Sequence, residues 1–172
     1  GMHYFSPVPK MPLLELIVTD KTSKRARQMA TNVGINQGKT VVVVKDGPGF
    51  YTTRVLSALT HEAIKVLHDG AKIEDVDAAM KDWGFPVGPL ALMDEVGIDV
   101  GAHIARGALG QMFIERGIEQ DDTVQKLAEA KLYGRKAGKG FYLYPKKGRK
   151  TVNTDIYQYF GGDDRKPMSK RD

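Results

Sequence analysis

The first eighteen residues contain a histidine and a glutamate that could act together in proton transfer. His3 lies in a run of aromatic and apolar side chains, residues 2–5, and Glu15 interrupts an apolar run, residues 13–18. Both runs are typical of β-strands, whereas the three prolines between them cannot continue a hydrogen-bonded ladder. We expect two strands joined by a stiff loop.

The chemistry of this histidine and glutamate depends on how the two strands pair. If the strands lie side by side, the Glu15 carboxylate can reach one imidazole nitrogen of His3, fix its tautomer and leave the other nitrogen free as a base. The alternative is an ordinary histidine at a strand edge and a glutamate that faces solvent. Leu14 and Leu16 flank Glu15 in a run typical of a strand buried on both faces. A buried carboxylate needs a partner, which favours the paired arrangement.

The composition of the 172-residue chain excludes several kinds of site. The chain contains no cysteine, so disulfides, zinc–thiolate centres and thiol nucleophiles are excluded. His61, Glu62 and His68 share a predicted helix. A His-Glu-x-x-His zinc motif requires a second histidine four residues after His61, where Lys65 stands. We therefore predict no metal site.

The lengths of the apolar runs and the residues at the start of the chain indicate whether it contains a transmembrane segment or a targeting signal. The longest apolar run is too short to span a membrane, and the chain opens with neither a charged nor a long apolar leader. We expect no transmembrane segment and no targeting signal in this chain. Because it begins with Gly1 inside a predicted strand, we expect it to belong to a longer protein.

The formal net charge of +5 is modestly basic, and much of the excess lies in residues 131–150 and in the last eight residues. Glycines, cations and aromatic residues alternate over residues 134–144. Such a loop could hold phosphates or stack against nucleic-acid bases, and it could equally be a solvent loop before a closing strand. We expect no nucleic-acid partner.

The order of the predicted elements divides the chain into an α/β piece and a helical piece. Apolar spacing predicts a helix over residues 24–33, and the four valines of residues 41–44 predict a strand buried on both faces. Two strands, a helix and a strand are typical of the end of an α/β layer. From residue 52 to residue 131 the pattern predicts five helices separated by glycine and proline. The predicted fold is mainly α with an α/β N-terminal piece.

A glycine-rich turn, residues 46–50, follows the valine strand and precedes the first long helix. It contains neither G-x-G-x-x-G nor the P-loop pattern, so we interpret it as a domain junction and not as a phosphate loop. The predicted boundaries are residues 1–45 for the end of a sheet domain, residues 46–145 for a helical domain, and residues 146–172 for a charged linker or tail.

Five motifs follow one another along the chain, namely residues 3–7, Glu15, residues 46–54, residues 84–89 and residues 134–142. They resemble consecutive motifs of the L-3-hydroxyacyl-CoA dehydrogenase family, and their details are most similar to the branch found in the mitochondrial trifunctional enzyme alpha subunit. No single motif is specific, but their order over residues 1–144 is. The resemblance implies a Rossmann-like NAD-binding domain followed by a helical domain that shapes the acyl-CoA cleft and mediates dimerisation.

The resemblance also implies roles for five residues. His3 would be the catalytic base, Glu15 would orient it, and Lys136 would contact NAD. Ser6 and Thr53 stand where many members of the family have an asparagine, which at the position of Thr53 helps to place the substrate, so both are candidate substrate-positioning residues. In this scheme His3 takes the proton of the 3-hydroxyl group while C3 gives a hydride to NAD+, which yields a 3-ketoacyl-CoA.

The resemblance thus implies NAD-dependent oxidation of (S)-3-hydroxyacyl-CoA in fatty-acid β-oxidation, by a longer protein. The implied setting is a homo-oligomer or a complex with a thiolase subunit, in mitochondria. The family's G-x-G-x-x-G turn and a serine that assists the histidine match no residue of this chain and would precede Gly1. The alternative is a non-catalytic fragment that serves as a dimerisation or acyl-CoA-cleft module.

Overall fold

A computed structural model of the chain describes residues 1–167. These residues form two compact units, the first comprising residues 1–55 and the second beginning at residue 56. The last five residues of the predicted tail lie outside the described part. Within residues 1–167, no helix is both long enough and apolar enough to span a membrane.

The first unit is built on a three-stranded sheet in the order β1-β2-β3. The strands are β1 (Met2–Tyr4), β2 (Leu13–Val18) and β3 (Thr40–Lys45), and helix α1 (Lys24–Asn36) connects the last two. β1 pairs antiparallel with β2, whereas β2 and β3 run parallel, an arrangement that requires a crossover connection such as helix α1. β2 is the central strand, and its residues 14–17 are buried.

Helix α1 packs closely on the sheet because a glycine faces it. Ser23 caps the helix by accepting a hydrogen bond of 3.1 Å from the backbone N–H of Ala26. A Cβ at Gly34 would lie only 2.6 Å from Val41 and 2.7 Å from Leu14. The sequence predicts that the helix ends before Gly34, but it continues through this residue to Asn36, because the glycine serves close packing there and not termination.

Strand β3 differs from the expectation for its four valines. None of them is buried, and Val42 is 36% exposed. The physical reason is position, since β3 is the edge strand of this sheet and, within residues 1–167, pairs with β2 alone.

The second unit is helical, and helix α2 leads into it from the first. The helices are α2 (Thr52–His68), α3 (Ile73–Trp83), α4 (Pro89–Val96), α5 (Ile98–Arg106), α6 (Ala108–Glu115) and α7 (Thr123–Glu129). The core of the unit includes the fully buried Leu67, Leu90 and Leu127. The sequence predicts one helix from Asp99 to Met112 or beyond, but the backbone at Gly107 is extended and separates α5 from α6.

The end of the described chain is folded where the sequence predicts a charged linker or tail. Strand β4 (Tyr142–Leu143) pairs antiparallel with β5 (Thr151–Val152), and a 3-10 helix (Thr154–Phe160) follows. Ile156 and Phe160 of this helix, together with its Tyr157, are buried in the core of the second unit. Three apolar side chains on one short helix are enough to hold the segment against the core.

Candidate active site

The pairing of β1 with β2 sets His3 directly opposite Glu15. Nδ1 of His3 lies 2.7 Å from Oε2 of Glu15, a hydrogen-bonding distance. The side chain of His3 is 36% exposed, whereas that of Glu15 is fully buried. Nε2 of His3 forms no hydrogen bond with any residue in the described range 1–167. The pair therefore presents one engaged and one free imidazole nitrogen.

The other oxygen of Glu15 binds the start of helix α2. Oε1 accepts hydrogen bonds from the backbone N–H groups of Tyr51 (3.1 Å) and Thr52 (2.7 Å) and from the Thr52 hydroxyl (2.9 Å). The first N–H groups of a helix have no partner within the helix, and its N-terminus favours negative charge. Glu15 satisfies those donors from a different element.

These hydrogen bonds decide the ionisation of Glu15. Burial alone raises the pKa of the carboxyl group, but the hydrogen bonds from the Thr52 backbone, His3, the Thr52 hydroxyl and the Tyr51 backbone together lower it below its ordinary value. Glu15 is therefore a carboxylate at neutral pH. With Glu15 ionised, Nδ1 of His3 carries the proton of this hydrogen bond, and Nε2 is the basic nitrogen.

Two aromatic rings flank the imidazole of His3. The ring centroid of Phe5 lies 4.6 Å from that of His3, and the centroid of Phe50 lies 5.6 Å away, both tilted by about 50°. Phe50 has a φ of 44°, an uncommon backbone conformation for a residue with a side chain. Nε of Arg54 donates a hydrogen bond of 2.7 Å to the carbonyl of Pro48 in the same turn. The turn after β3 thus places an aromatic ring beside the histidine.

The predicted substrate-positioning residues do not bond to this pair. Ser6 is exposed in the loop after β1, and Thr53 is half-buried in the first turn of α2. Among the described residues, neither side chain forms a hydrogen bond with His3 or Glu15. Thr52 makes the contacts to Glu15, and sequence reasoning missed it, although threonine at the start of a predicted helix is a recognisable capping signal. The roles of Ser6 and Thr53 stay predictions.

Lys136 belongs to the second unit, in a 3-10 turn (Arg135–Ala137). Its Nζ lies 2.6 Å from the carboxylate of Asp99 in the first turn of α5 and 5.7 Å from the ring centroid of Tyr133. The hydrogen bond from Lys136 lowers the pKa of Asp99. The contact of Lys136 with NAD stays a prediction.

A buried carboxylate explains one of the glycines of residues 134–144. Asp94 accepts hydrogen bonds of 2.9 Å from the backbone N–H groups of Phe141 and Tyr142 and one of 3.0 Å from the Tyr144 hydroxyl. A Cβ at Gly140 would overlap the Asp94 carboxylate. Burial raises the pKa of Asp94 to about 6, although these donors act to lower it. Gly140 thus serves close approach to Asp94.

A second buried carboxylate explains the turn of residues 84–89. Asp77 accepts hydrogen bonds from the backbone N–H groups of Leu90 (2.9 Å) and Ala91 (3.0 Å) at the start of α4, and from the Tyr142 hydroxyl (2.7 Å). A Cβ at Gly88 would overlap the Asp77 side chain. Two motifs that carry the family resemblance therefore hold helix α4 and strand β4 in place.

The histidines of α2 do not form a metal site with their neighbours. Nε2 of His68 lies 3.0 Å from the Thr123 hydroxyl and 3.1 Å from a carboxylate oxygen of Asp121. Within residues 1–167, no group of three or more histidine, cysteine or acidic side chains could hold a metal ion.

Two protein-family models match the chain over consecutive stretches. The model described as "3-hydroxyacyl-CoA dehydrogenase, NAD binding domain" matches residues 1–47. The model described as "3-hydroxyacyl-CoA dehydrogenase, C-terminal domain" matches residues 49–144. Together they cover the unit that holds the His3–Glu15 pair and the helices that follow it.

Curated relatives share the sequence over almost the whole chain. A protein named "Fatty acid oxidation complex subunit alpha" from Shewanella halifaxensis is 47% identical over 94% of this chain and 23% of its own length. A protein of the same name from Shewanella loihica is 43% identical over 98% of this chain and 24% of its own length. The chain thus spans about a quarter of these curated relatives.

Solved structures share the fold. The (S)-3-hydroxybutyryl-CoA dehydrogenase PaaH1 from Ralstonia eutropha aligns with a TM-score of 0.78 at 36% identity, over 85% of this chain and 52% of its own. The 3-hydroxybutyryl-CoA dehydrogenase from Escherichia coli aligns with a TM-score of 0.78 at 31% identity, over 88% of this chain and 32% of its own. The dehydrogenase part of multifunctional enzyme 1 from C. elegans aligns with a TM-score of 0.67 at 28% identity, over 94% of this chain and 36% of its own.

Proposed function

The chain belongs to the 3-hydroxyacyl-CoA dehydrogenase family, and we propose that it is part of a longer protein that oxidises (S)-3-hydroxyacyl-CoA to 3-ketoacyl-CoA with NAD+ in fatty-acid β-oxidation. The observation that carries the proposal is the distance of 2.7 Å between His3 and a buried, ionised Glu15. This contact leaves Nε2 of a half-exposed imidazole free to accept a proton.

The reaction removes a proton from the 3-hydroxyl group and a hydride from C3. Nε2 of His3 accepts the proton, and the Glu15 carboxylate stabilises the imidazolium through the hydrogen bond to Nδ1. Three hydrogen bonds from Tyr51 and Thr52 keep Glu15 charged and fixed while this happens. Phe5 and Phe50 limit the movement of the imidazole ring.

The residues of this chain fit a nicotinamide cofactor in two respects. Such an oxidation needs one base beside the alcohol, and His3 offers a single free nitrogen. Lys136 would hold the cofactor through its ammonium group, and its pair with Asp99 joins side chains that are 50% and 37% exposed. Exposed ion pairs stabilise proteins by roughly 0–1 kcal/mol, so this pair can open at little cost. When bound, NAD+ takes the hydride. Ser6 and Thr53 would contact the substrate.

The names of the relatives bear on assembly. Both curated relatives are named as subunits of a fatty acid oxidation complex, which supports a multifunctional complex for this protein. A homo-oligomer and a thiolase subunit as its partner stay predictions. The two relatives are bacterial, so the mitochondrial location rests on the resemblance alone and also stays a prediction.

The role of His3 is tested by His3→Gln in the full-length protein. We expect kcat for NAD+ reduction with 3-hydroxyacyl-CoA to fall by about two to four orders of magnitude, the usual contribution of general acid–base catalysis. His103→Gln is the matched control, because His103 is an exposed histidine of α5, and it should leave kcat unchanged. A near-normal kcat in His3→Gln would remove His3 from the role of base.

The isolated chain gives a second test, because residues 1–172 contain no G-x-G-x-x-G turn. That turn is what holds a dinucleotide's pyrophosphate at a helix N-terminus. We expect no tight binding when NADH is titrated into the chain and its fluorescence is followed. Binding in the micromolar range would contradict this expectation and with it the need for a preceding segment.

A further inference from the structure

The second unit carries a cluster of cationic side chains that take no part in the proton transfer proposed for His3 and Glu15. Residues 131–150 contain eight lysines and arginines and no acidic residue. Four of the eight lie in residues 145–150, in the turn that joins β4 to β5. The match to the C-terminal-domain model ends at residue 144, so this turn lies just beyond the matched domain.

A surface cleft of about 370 Å³ lies beside the turn. Small-molecule sites commonly have volumes of about 300–1,000 Å³, so its size suits a small ligand. Arg135, Tyr144, Pro145, Gly148 and Lys150 line this space, which we call the hairpin cleft. Two cations and an aromatic ring therefore meet in one concave surface.

The aromatic side of the hairpin cleft is held firmly by the core. The Tyr144 hydroxyl donates to the buried Asp94 over 3.0 Å, which fixes the ring. The guanidinium carbon of Arg135 lies 5.8 Å from the ring centroid of Tyr144, and Nζ of Lys150 lies 3.9 Å from that of Tyr142. Cations placed along aromatic faces are partly ordered before a ligand arrives.

Acidic groups near the hairpin cleft do not neutralise it. Nη1 of Arg135 donates to Glu95 over 2.5 Å, but the two side chains are 63% and 43% exposed, and the other donors of the guanidinium remain. Three cations of the turn form no hydrogen bond or ion pair within residues 1–167; these are Lys146, Lys147 and Arg149. The cleft therefore carries a local excess of positive charge.

The geometry points to the hairpin cleft as a binding site for a phosphate group, as a monoester or a diphosphate, carried by a soluble metabolite or by a phospholipid headgroup. Arg135 would grip two phosphate oxygens through its planar fork, and Lys150 would add a second charge. The free cations of the turn would attract the anion from a distance. The residues that line this cleft include none of those placed in the proposed oxidation, namely His3, Glu15, Lys136, Ser6 and Thr53.

The test is calorimetric titration of inorganic pyrophosphate into the 172-residue chain at low ionic strength. We expect saturable binding at one site, weakened by about tenfold or more in the double variant Arg135→Gln/Lys150→Gln, which loses charge-assisted hydrogen bonds. Lys126→Gln is the matched control. Lys126 lies on α7, pairs with Asp122 just before that helix and does not line the cleft, so its loss should change affinity less than twofold.

Phospholipid vesicles separate the two sources of phosphate. Retention on phosphatidylglycerol vesicles but not on phosphatidylcholine vesicles, lost in the double variant, assigns the site to a headgroup, whereas saturation by pyrophosphate alone assigns it to a soluble ligand. If the chain binds neither pyrophosphate nor phosphatidylglycerol vesicles, the proposal is overturned. It is also overturned if Lys126→Gln weakens binding as much as the double variant does.

A second variant covers the case in which the double variant fails to fold. Lys147→Gln/Arg149→Gln changes only exposed side chains and should reduce the dependence of binding on salt concentration. An unchanged salt dependence would also overturn the proposal.

Discussion

Glu15 combines two opposing effects on one carboxyl group. Full burial disfavours its charge, whereas three donors at the start of α2 and the imidazole of His3 favour it. The outcome is a lowered pKa, so the donors prevail over burial. This balance is what makes the residue useful beside a base, because a neutral Glu15 could not stabilise an imidazolium.

The pH dependence of stability tests this balance. The lowered pKa means that Glu15 stabilises the fold above its ordinary pKa of 4.5 and that this contribution is lost as the pH falls through the folded-state pKa. Glu15→Gln also turns an amide N–H₂ toward one of the donors. We expect it to lower the free energy of unfolding at pH 7 by about 1–3 kcal/mol, and by less under acid conditions.

Urea unfolding at pH 7 and near pH 3 measures this difference. Glu119→Gln is the control, because Glu119 is exposed and forms no ion pair within residues 1–167; it should change stability by less than about 0.5 kcal/mol. A loss of stability in Glu15→Gln that is the same at both pH values would contradict the ionisation argument.

At the scale of elements, buried carboxylates connect parts of the second unit that are far apart in sequence. Asp77 joins α3 to the start of α4 and to Tyr142 of β4, and Asp94 joins α4 to the backbone of β4. Each carboxylate lies where a Cβ on a neighbouring glycine would overlap it, at Gly88 and Gly140. The glycines therefore set the distance between these elements.

Gly140→Ala tests the close approach to Asp94. The new methyl group would displace the carboxylate from Phe141 and Tyr142, so we expect a loss of about 1–3 kcal/mol or more in the free energy of unfolding. Gly101→Ala is the control, since its Cβ would find only Val124 at 3.7 Å in ordinary contact. Alanine in a helix is favoured over glycine, so this control should stabilise α5 by about 0.5–1 kcal/mol.

Chemical denaturation followed by circular dichroism gives both values in one series. Neither glycine has a positive φ, so backbone strain does not enter the comparison. Equal effects of the two substitutions would show that Gly140 is not limited by the Asp94 carboxylate.

At the scale of the whole molecule, the end of the described chain stabilises elements well before it. The ring of Phe160 lies 4.9 Å from that of His68 in α2 and 6.2 Å from that of Phe141, measured between centroids. The Tyr157 hydroxyl accepts a hydrogen bond of 3.0 Å from the N–H of Ile73, at the start of α3. The 3-10 helix is therefore part of the core of the second unit.

Phe160→Ala tests this role. We expect the free energy of unfolding of the second unit to fall by about 3–5 kcal/mol, the usual cost of removing a buried phenylalanine side chain. Gln158→Ala, an exposed neighbour on the same 3-10 helix, should change it by less than about 0.5 kcal/mol. Thermal or urea unfolding of the 172-residue chain measures both, and an unchanged stability in Phe160→Ala would restore the interpretation of this segment as a tail.

The sequence by itself determined what local patterns encode. The periodicity of apolar residues was sufficient to predict the strands of the first unit and the helices of the second. The leucines on either side of Glu15 indicated a buried carboxylate that needs a partner. The residue types also limited the chemistry, because a chain without cysteine cannot form thiolate centres. These features depend on neighbours within a few residues.

Only the tertiary structure decided which distant elements meet. The Thr52 hydroxyl bonds to Glu15, 37 residues away, and the Thr53 hydroxyl does not, because the side chains of successive helical residues point about 100° apart. Asp94 bonds to Phe141 across 47 residues, and Phe160 reaches back to α2. Periodicity indicates that a side chain is buried but does not specify its partner. The partner is set by three-dimensional packing. Two further features also differ from the sequence-based expectation: the predicted helix is interrupted at Gly107, and part of the predicted tail is folded against the core.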